Sequence, residues 1–269
     1  MGDQLSAQLP VVVDLAETVG AMQLARRGSV VATEAKAHAN DLVSEVDRAS
    51  ERMIVDALVA AFPDDGLLGE EGASRTGSSG RRWVIDPLDG TRDYLSGCGQ
   101  WAVSIGLEDA DGTPLLGVVH DPVNRETFTG VRGGGAHLNG APIAASTQGD
   151  LGSSLIGFCY STAPEWKRRM APVLGGLLTV VGDQRKVPAA LHLAYQAAGR
   201  MEGGLTMGTA LWDVAAGWLI AAEAGVRVAA TGPDVVVTGC PAVWPSLVAA
   251  LESVGVDVPT SGGCEMSVG

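Results

Sequence analysis

The stretch "WVIDPLDGTRDY", residues 83–94, joins an apolar run to two acids separated by a proline and a leucine. The apolar residues are typical of a buried strand, and Gly90 and Thr91 follow at the predicted start of a helix. An acid at the end of a strand often caps the next helix, and Asp-Pro and Asp-Gly are common turn pairs. Asp86 or Asp89 alone therefore has an ordinary structural explanation.

Further acids lie at junctions of the same kind elsewhere in the chain. Glu70 and Glu71 in "LLGEEG" follow an apolar pair, Asp213 in "LWDVAAG" begins an apolar helix, and Asp47 in "SEVD" begins another. Each of them by itself could be a helix cap or part of a solvated face. Together with the acids of the 83–94 stretch, they predict a cluster of carboxylates.

A cluster of Asp and Glu without His or Cys favours Mg²⁺ over zinc, because hard divalent cations prefer carboxylate and carbonyl oxygens. Pro87 fixes its own φ and has no N–H, which could hold the acids around it toward one site while leaving the Leu88 carbonyl as a further ligand. The N–H groups of Gly90 and Thr91 are candidates for binding a phosphate. The sequence therefore predicts a magnesium site beside a phosphate site.

Composition narrows the class of protein. The chain has 269 residues, 46% of them hydrophobic, which is enough for one large α/β domain or two small ones. Its net charge is −13 and its 18 Lys and Arg residues form no cluster, so a nucleic acid polymer is not an expected partner. Four dispersed cysteines, no signal-peptide pattern and no apolar run of the roughly 18 to 20 residues that a membrane helix needs predict a cytoplasmic protein without membrane contact.

Hydrophobic periodicity divides the chain into two sheet-bearing halves. Helices are predicted at 11–26 and 45–61, and β-branched apolar segments between 82 and 131 predict a sheet. Beyond residue 146 strands and helices alternate, with strands predicted at 154–159, 202–207 and 234–238 and helices near 164–176, 188–199, 211–224 and 242–254. We therefore expect an N-terminal α+β half, 1–146, with most of the acids, a C-terminal α/β half, 147–257, with Asp213, and a mobile tail, 258–269.

Other motifs fail on spacing. An aspartyl-phosphate phosphatase needs D-x-D-G-T, but the position two before Asp89 is Pro87. An EF-hand loop that started at Asp86 would need a Glu where Gly97 stands, and a dinucleotide loop in "RGGGAHLNG" lacks its third glycine at Leu138. The four histidines have no ligand spacing. The carboxylate cluster remains the main functional signal.

The stretches "GEEG", "WVIDPLDGT" and "WDVAAGWLIAAEAG" resemble the three signature stretches of the inositol monophosphatase family, in that family's order and separation. "DLVSEVD" resembles the family's first conserved helix, and the resemblance spans roughly residues 11–250. It implies a layered α-β-α-β-α sandwich of the inositol monophosphatase and fructose-1,6-bisphosphatase type, with the site between two sheets. It also implies a Mg²⁺-dependent, lithium-sensitive phosphatase that is usually a homodimer.

The resemblance also implies roles for individual residues. Two or three Mg²⁺ ions would be bound by Glu70, Asp86, the Leu88 carbonyl, Asp89 and Asp213. Thr91 paired with Asp47 resembles the dyad that, with Glu70 and a metal ion, activates the attacking water. The amides of Gly90 and Thr91 would hold the phosphate.

Substrate choice depends on residues that contact the alcohol portion. A glutamate shortly before "WD" typically binds the inositol ring in this family, and the corresponding residue here is Thr206. The usual Gly-Thr-Ala-Ala is "VPAA", 187–190, and Arg185 and Lys186 before it could favour a second anionic group or be solvated. Glu71 and Asp89 complete the candidate substrate contacts.

Several substrates stay open. The "GEEG" and "WDVAAG" forms favour inositol-1-phosphate, and the alternatives are histidinol phosphate, a 3′(2′),5′-bisphosphate nucleotide and fructose 1,6-bisphosphate. A hypothesis of another class is a metal-binding scaffold that has kept the fold without turnover. Because every predicted ligand position and Thr91 carry the expected residues, the enzyme is favoured over the scaffold.

Overall fold

The computed structural model describes residues 2–29, 33–35, 42–230 and 234–258. Its helices are α1 Gly2–Arg26, α2 Glu45–Ala61, α3 Thr91–Ser96, α4 Pro164–Leu177, α5 Ala189–Ala197, α6 Leu211–Glu223 and α7 Trp244–Ser253. The predicted tail, 258–269, lies outside the described residues except for Val258. No helix in the described part of the chain is both long enough and apolar enough to span a membrane.

The strands form three sheets. A short antiparallel ribbon pairs β1 Thr33–Ala35 with β2 Leu42–Ser44. The large sheet has the order β10-β9-β8-β7-β6-β5-β3-β4. Its strands are β3 Gly66–Gly69, β4 Ser74–Arg75, β5 Arg82–Asp89, β6 Ala102–Glu108, β7 Pro114–Asp121, β8 Glu126–Val131, β9 Gly135–Leu138 and β10 Ala141–Ile143. All of its neighbouring strands are antiparallel except β3 and β5.

The small sheet has the order β12-β11-β13-β15-β14. Its strands are β11 Leu155–Tyr160, β12 Asp183–Lys186, β13 Gly203–Met207, β14 Arg227–Ala230 and β15 Val235–Gly239. β11 runs parallel to both β12 and β13, and β15 is antiparallel to its neighbours. The chain passes from the large sheet to the small one between Ile143 and Leu155.

The helices and sheets stack in five layers. One apolar cluster packs α1 and α2 against the large sheet, and another packs α4 and α7 against the outer face of the small sheet. Between the sheets lie α5 and α6, whose side chains contribute to clusters with both sheets. The predicted α-β-α-β-α sandwich is confirmed.

Helix α6 lies very close to the large sheet. A Cβ atom on Gly117 of β7 would stand 2.5 Å from the carbonyl oxygen of Ala216 and 3.0 Å from its Cα atom. Only glycine therefore allows this approach, because any larger side chain would push the helix away. The close packing brings the first turn of α6, which carries Asp213, to the side of the sheet where β5 ends.

Several elements differ from the sequence-based expectation, which did not include the short strands β1, β2, β3 and β4. Helix α1 begins at Gly2 rather than near residue 11 and contains Pro10, although a proline inside a helix costs about 3 kcal/mol. Leu5 is buried in the same cluster as Val12 and Val19, so the packing of the first turns offsets that cost. Strand β12 was not expected, because its sequence "DQRK" is polar. Its extended conformation comes from the parallel pairing with β11.

Candidate active site

The end of β5 is an irregular strand segment. Its pairing with β6 shifts register between Asp86 and Asp89, so the Pro87–Leu88 peptide lies outside the regular ladder. The Leu88 N–H instead donates to the Asp86 Oδ1 at 3.0 Å. Because Asp86 is only 1% exposed, this contact holds a buried carboxylate in place at the turn.

Gly90 makes the turn from β5 into α3. Its φ is +98°, in the left-handed region that favours glycine. A Cβ atom here would lie 2.8 Å from the Gln100 carbonyl oxygen and 2.9 Å from the Pro188 Cγ. Both the backbone conformation and the lack of space therefore require glycine at this position, which lies between the two sheets.

Thr91, the first residue of α3, meets Asp47 from α2. The Thr91 hydroxyl donates to the Asp47 Oδ1 at 2.7 Å and also lies 3.2 Å from the Leu88 carbonyl oxygen. Ser44 caps α2, and its N–H donates to the Asp47 Oδ2 at 2.9 Å. Burial raises the pKa of Asp47 above its ordinary value, although its hydrogen bonds with Ser44 and Thr91 act in the opposite direction.

Asp89 joins the large sheet to α5, and Asp213 caps the start of α6. The Ala190 N–H, in the first turn of α5, donates to the Asp89 Oδ2 at 2.7 Å. Asp213 is half-buried at the third position of α6, where its Oδ2 accepts from the Ala210 N–H at 2.7 Å. These two hydrogen bonds hold the carboxylates of β5 and α6 at the same cleft.

Four carboxyl groups act on one another. Burial raises the pKa of Asp86 and of Asp89 well above their ordinary values, and the charges of Glu70 and Asp213 add to both shifts. The Glu70 side chain is also hydrogen-bonded to Asp86. Such mutual repulsion favours protonation of buried carboxyl groups unless a cation lies among them.

The donor chemistry fits a hard divalent cation, since Glu70, Asp86, Asp89 and Asp213 supply only oxygen atoms and the neighbouring Leu88 supplies a carbonyl. Across the described residues, no group of three or more His, Cys, Asp or Glu side chains already stands in an arrangement that would hold a metal ion. Two of these carboxyls, Glu70 and Asp86, are instead hydrogen-bonded to each other.

The cleft beside these carboxyls has a volume of about 520 Å³. Its walls include Glu70, Asp89, Gly90, Thr91 and Asp213 from the predicted set. The small sheet, the start of α5 and the start of α6 supply further lining residues, which are 159–162, 186–189, 208–210 and 212. Asp47 and Asp86 do not line the cleft and lie behind it, each in contact with a residue that does.

The structure separates the predicted substrate contacts. Lys186 lines the cleft, and its Nζ lies 5.1 Å from the centre of the Tyr160 ring. Arg185 does not line it and forms an exposed ion pair with Asp183 at 2.6 Å. Thr206 is 1% exposed within β13 and is not part of the cleft wall.

Glu71, the remaining candidate substrate contact, lies next to the site without lining the cleft. Its backbone N–H donates to the Glu51 Oε2 at 2.8 Å.

Sequence reasoning missed Gln23. This wholly buried α1 side chain donates to the Pro87 carbonyl oxygen at 2.7 Å. The signal was available, because residues 12, 16, 19 and 23 form one helical stripe and the first three are apolar. A glutamine in a buried stripe indicates a specific hydrogen-bond partner.

Comparisons with known proteins agree with this architecture. The family-wide sequence profile described as "Inositol monophosphatase family" matches residues 5–254. The Nus factor SuhB of Escherichia coli is 37% identical over 213 residues, which cover 78% of this chain and 75% of that protein.

Solved structures are similar as well. The extragenic suppressor protein SuhB of Bartonella henselae is 32% identical and superposes with a TM-score of 0.86, covering 93% of this chain and 100% of that one. The inositol monophosphatase of Anabaena is 28% identical with a TM-score of 0.81, covering 95% of this chain and 98% of that one. With its motifs, its five-layer fold and a family match over nearly its whole length, this chain belongs to the inositol monophosphatase family.

Proposed function

We propose that this protein is a Mg²⁺-dependent phosphatase that hydrolyses a small phosphate monoester, with inositol-1-phosphate as the first candidate. The observation that carries the proposal is the convergence of Glu70, Asp86, Asp89 and Asp213 beside the hydrogen-bonded pair of Thr91 and Asp47. These residues come from both halves of the chain. Their position between the sheets supports one shared site.

Mg²⁺ would be held by the carboxylates of Glu70, Asp86, Asp89 and Asp213 and by the carbonyl oxygen of Leu88. When bound, Mg²⁺ supplies a Lewis acid for phosphoryl oxygens and lowers the pKa of water. The cleft carboxylates of a chain with a net charge of −13 would otherwise repel a phosphate ester, so the cation also reverses the local field.

Thr91 and Asp47 would handle the proton of the attacking water. The Thr91 hydroxyl donates to Asp47, which leaves the hydroxyl oxygen free to accept a hydrogen bond from water at the cleft surface. Burial raises the pKa of Asp47, which makes this carboxylate a better proton acceptor. The amides of Gly90 and Thr91 would bind the phosphate, as the family resemblance implies.

Inositol-1-phosphate is supported by the relatives, one of which is the Anabaena inositol monophosphatase. A second candidate class is favoured by Lys186, which brings a positive charge to the cleft wall. Burial raises the pKa of Asp93, and the charges of Lys186 and Arg92 oppose that rise. Both of these cations also line the cleft. A substrate with a second anionic group, such as a 3′(2′),5′-bisphosphate nucleotide or fructose 1,6-bisphosphate, would use them.

A panel of esters tests the proposal. Inositol-1-phosphate, histidinol phosphate, adenosine 3′,5′-bisphosphate and fructose 1,6-bisphosphate would be assayed for phosphate release with Mg²⁺, with EDTA and with added Li⁺. We expect Mg²⁺-dependent turnover of at least one ester and inhibition by Li⁺. If neither these esters nor a generic aryl phosphate released phosphate, the result would instead support the metal-binding scaffold.

Substitutions of the neighbouring residues Lys186 and Arg185 give a matched pair of variants that tests whether the substrate carries a second anionic group. Lys186→Met removes a charge from the cleft, whereas Arg185→Met removes one from an exposed ion pair outside it. If the substrate carries a second anionic group, Lys186→Met should raise its KM by about tenfold, about 1.4 kcal/mol, and Arg185→Met should not. Equal KM values in the two variants would exclude the second candidate class and leave inositol-1-phosphate and histidinol phosphate.

A further inference from the structure

Gln23 connects α1 to four other parts of the protein through buried hydrogen bonds. Its Nε2 donates to the Pro87 carbonyl oxygen at 2.7 Å and to the Ser50 Oγ at 3.1 Å, and its Oε1 accepts from the Trp101 Nε1 at 3.1 Å. The Tyr94 hydroxyl donates to the Gln23 backbone carbonyl at 2.9 Å. Both ends of the side-chain amide are therefore satisfied inside the protein.

The hydrogen bond to Pro87 lies in the irregular segment between Asp86 and Asp89, which we call the carboxylate turn. The Pro87–Leu88 peptide lies where the β5–β6 ladder is interrupted, so the neighbouring strand does not fix its orientation. Gln23 holds the carbonyl side of this peptide, and Asp86 accepts from the Leu88 N–H on the other side. Rotation of the peptide would move both the Asp86 contact and the Leu88 carbonyl.

The surroundings of Gln23 keep this arrangement rigid. Trp101 and Tyr94 are buried and pack edge to face with ring centres 5.0 Å apart. The Arg27 guanidinium lies 5.1 Å from the centre of the Trp101 ring and donates to the Gly97 carbonyl at 2.5 Å. The partner of the Gln23 Oε1 is therefore itself held from two sides.

We propose that Gln23 is a positioning residue that fixes the Pro87–Leu88 peptide and thereby sets the affinity of the carboxylate cluster for a divalent cation. The inference rests on the proposed Mg²⁺ site. It assigns to the first helix, which supplies no predicted ligand, control over how tightly the ligands of β5 bind. Gln23 itself touches neither the cation nor the substrate.

A matched control separates positioning from general stability. Gln196 is a second buried glutamine, on α5, whose amide contacts His192 and which has no contact with the Pro87 turn. Gln23→Met and Gln196→Met each remove one buried amide and keep a side chain of similar length. Both variants should lower the unfolding temperature in EDTA, because each leaves buried groups without partners.

The test is a calorimetric titration of the full-length protein with Mg²⁺, together with the Mg²⁺ dependence of phosphate release. For Gln23→Met we expect the Mg²⁺ concentration at half-saturation to rise by about tenfold in both experiments, with kcat at saturating Mg²⁺ within about twofold of wild type. For Gln196→Met the half-saturation concentration should remain within about twofold of wild type. Equal values for the two variants would overturn the inference.

The outcomes distinguish the inference from the proposed function. If the wild-type protein binds Mg²⁺ without releasing phosphate, the proposed function fails and the calorimetric comparison still decides the role of Gln23. If the wild-type protein binds no Mg²⁺, both fail. Should Gln23→Met not fold, Trp101→Phe removes the donor to the Gln23 Oε1 and keeps an aromatic ring beside Tyr94, and an unchanged half-saturation concentration in this variant would also overturn the inference.

Discussion

Thr91 and Asp47 lie 44 positions apart in the chain, on different helices, yet their side chains hydrogen bond at 2.7 Å. Ser44 binds the other oxygen of Asp47, so the carboxylate is oriented even without the threonine. Thr91→Val removes the hydroxyl and keeps the shape of the side chain. A positioned acid–base group contributes about 10²- to 10⁴-fold to a rate, so we expect kcat to decrease by a factor in that range.

Steady-state kinetics at saturating Mg²⁺ measures this loss. Thr91→Ser is the control, since it keeps a hydroxyl and should keep most of the activity. A Thr91→Val variant as active as Thr91→Ser would exclude the proton-handling role of the hydroxyl.

Asp89 offers a second prediction at the scale of one residue. Asp89→Asn removes a charge from the cluster, but its amide oxygen can still accept from the Ala190 N–H. We therefore expect nearly complete loss of phosphatase turnover, with an unchanged circular dichroism spectrum. More than half of wild-type turnover in this variant would contradict the carboxylate site.

At the scale of elements, the turn from β5 into α3 depends on Gly90. Gly90→Ala would meet backbone and side-chain atoms within 3 Å in addition to its unfavourable φ. Gly133 has a positive φ of 71° but no atom within 4 Å of an added Cβ, so Gly133→Ala carries only the backbone strain. We expect Gly133→Ala to cost about 1 kcal/mol of unfolding free energy, and Gly90→Ala to cost clearly more.

Urea unfolding of the two glycine variants measures the difference. Equal losses of unfolding free energy would mean that the surroundings of Gly90 relax, and that the close approach of Gln100 and Pro188 does not constrain the turn.

The packing of α5 on the small sheet predicts how the stability of the fold depends on pH. His192 is fully buried over Gly157 and Gly204, where an added Cβ would lie 2.2 Å and 2.0 Å from the imidazole ring. Burial lowers the pKa of His192 to about 4. The unfolded chain, in which the pKa is about 6.5, therefore binds a proton more readily than the folded protein.

The contribution of His192 to stability is present near pH 7 and is lost as the pH falls through the unfolded pKa toward the folded one. Between pH 7 and pH 5 this loss is about 2 kcal/mol. The raised pKa values of Asp47, Asp86 and Asp89 act in the opposite direction, since these groups favour the folded state as pH falls.

Because those carboxyls remain in His192→Leu, the difference between this variant and wild type isolates the histidine. Urea unfolding at pH 7 and pH 5 should show that the variant loses less unfolding free energy than wild type when the pH falls. The same pH dependence in both proteins would mean that His192 is accessible to protons in the folded state.

At the scale of the whole molecule, a net charge of −13 and a carboxylate cluster with two buried members predict that cations stabilise the fold. A ligand that binds only the folded state at 100 times its Kd stabilises it by about 2.7 kcal/mol. We expect MgCl₂ to raise the unfolding temperature relative to EDTA by more than NaCl of equal ionic strength, because NaCl only screens the surface charges. An equal rise in the two salts would speak against a specific Mg²⁺ site.

The sequence by itself determined the elements of the chain and the residue types of the site. Hydrophobic periodicity reports which face of a helix or strand is buried, and it predicted most helices and the central strands of both sheets. Acids placed where those elements begin or end predicted the cluster of Glu70, Asp86, Asp89 and Asp213. The exceptions included the first turns of α1, where Pro10 opposed the helix, and the polar strand β12, both of which depend on distant packing partners, as well as the short strands β1, β2, β3 and β4.

Only the tertiary structure decided which of these residues meet. Lys186 and Arg185 are adjacent in sequence, yet one lines the cleft and the other pairs with Asp183 outside it. Thr206 lies inside the small sheet, and Gln23 reaches the carboxylate turn from the first helix. Periodicity describes contacts within a few residues, whereas these arrangements arise from the close packing of α1, α5 and α6 against the sheets, which no local pattern records.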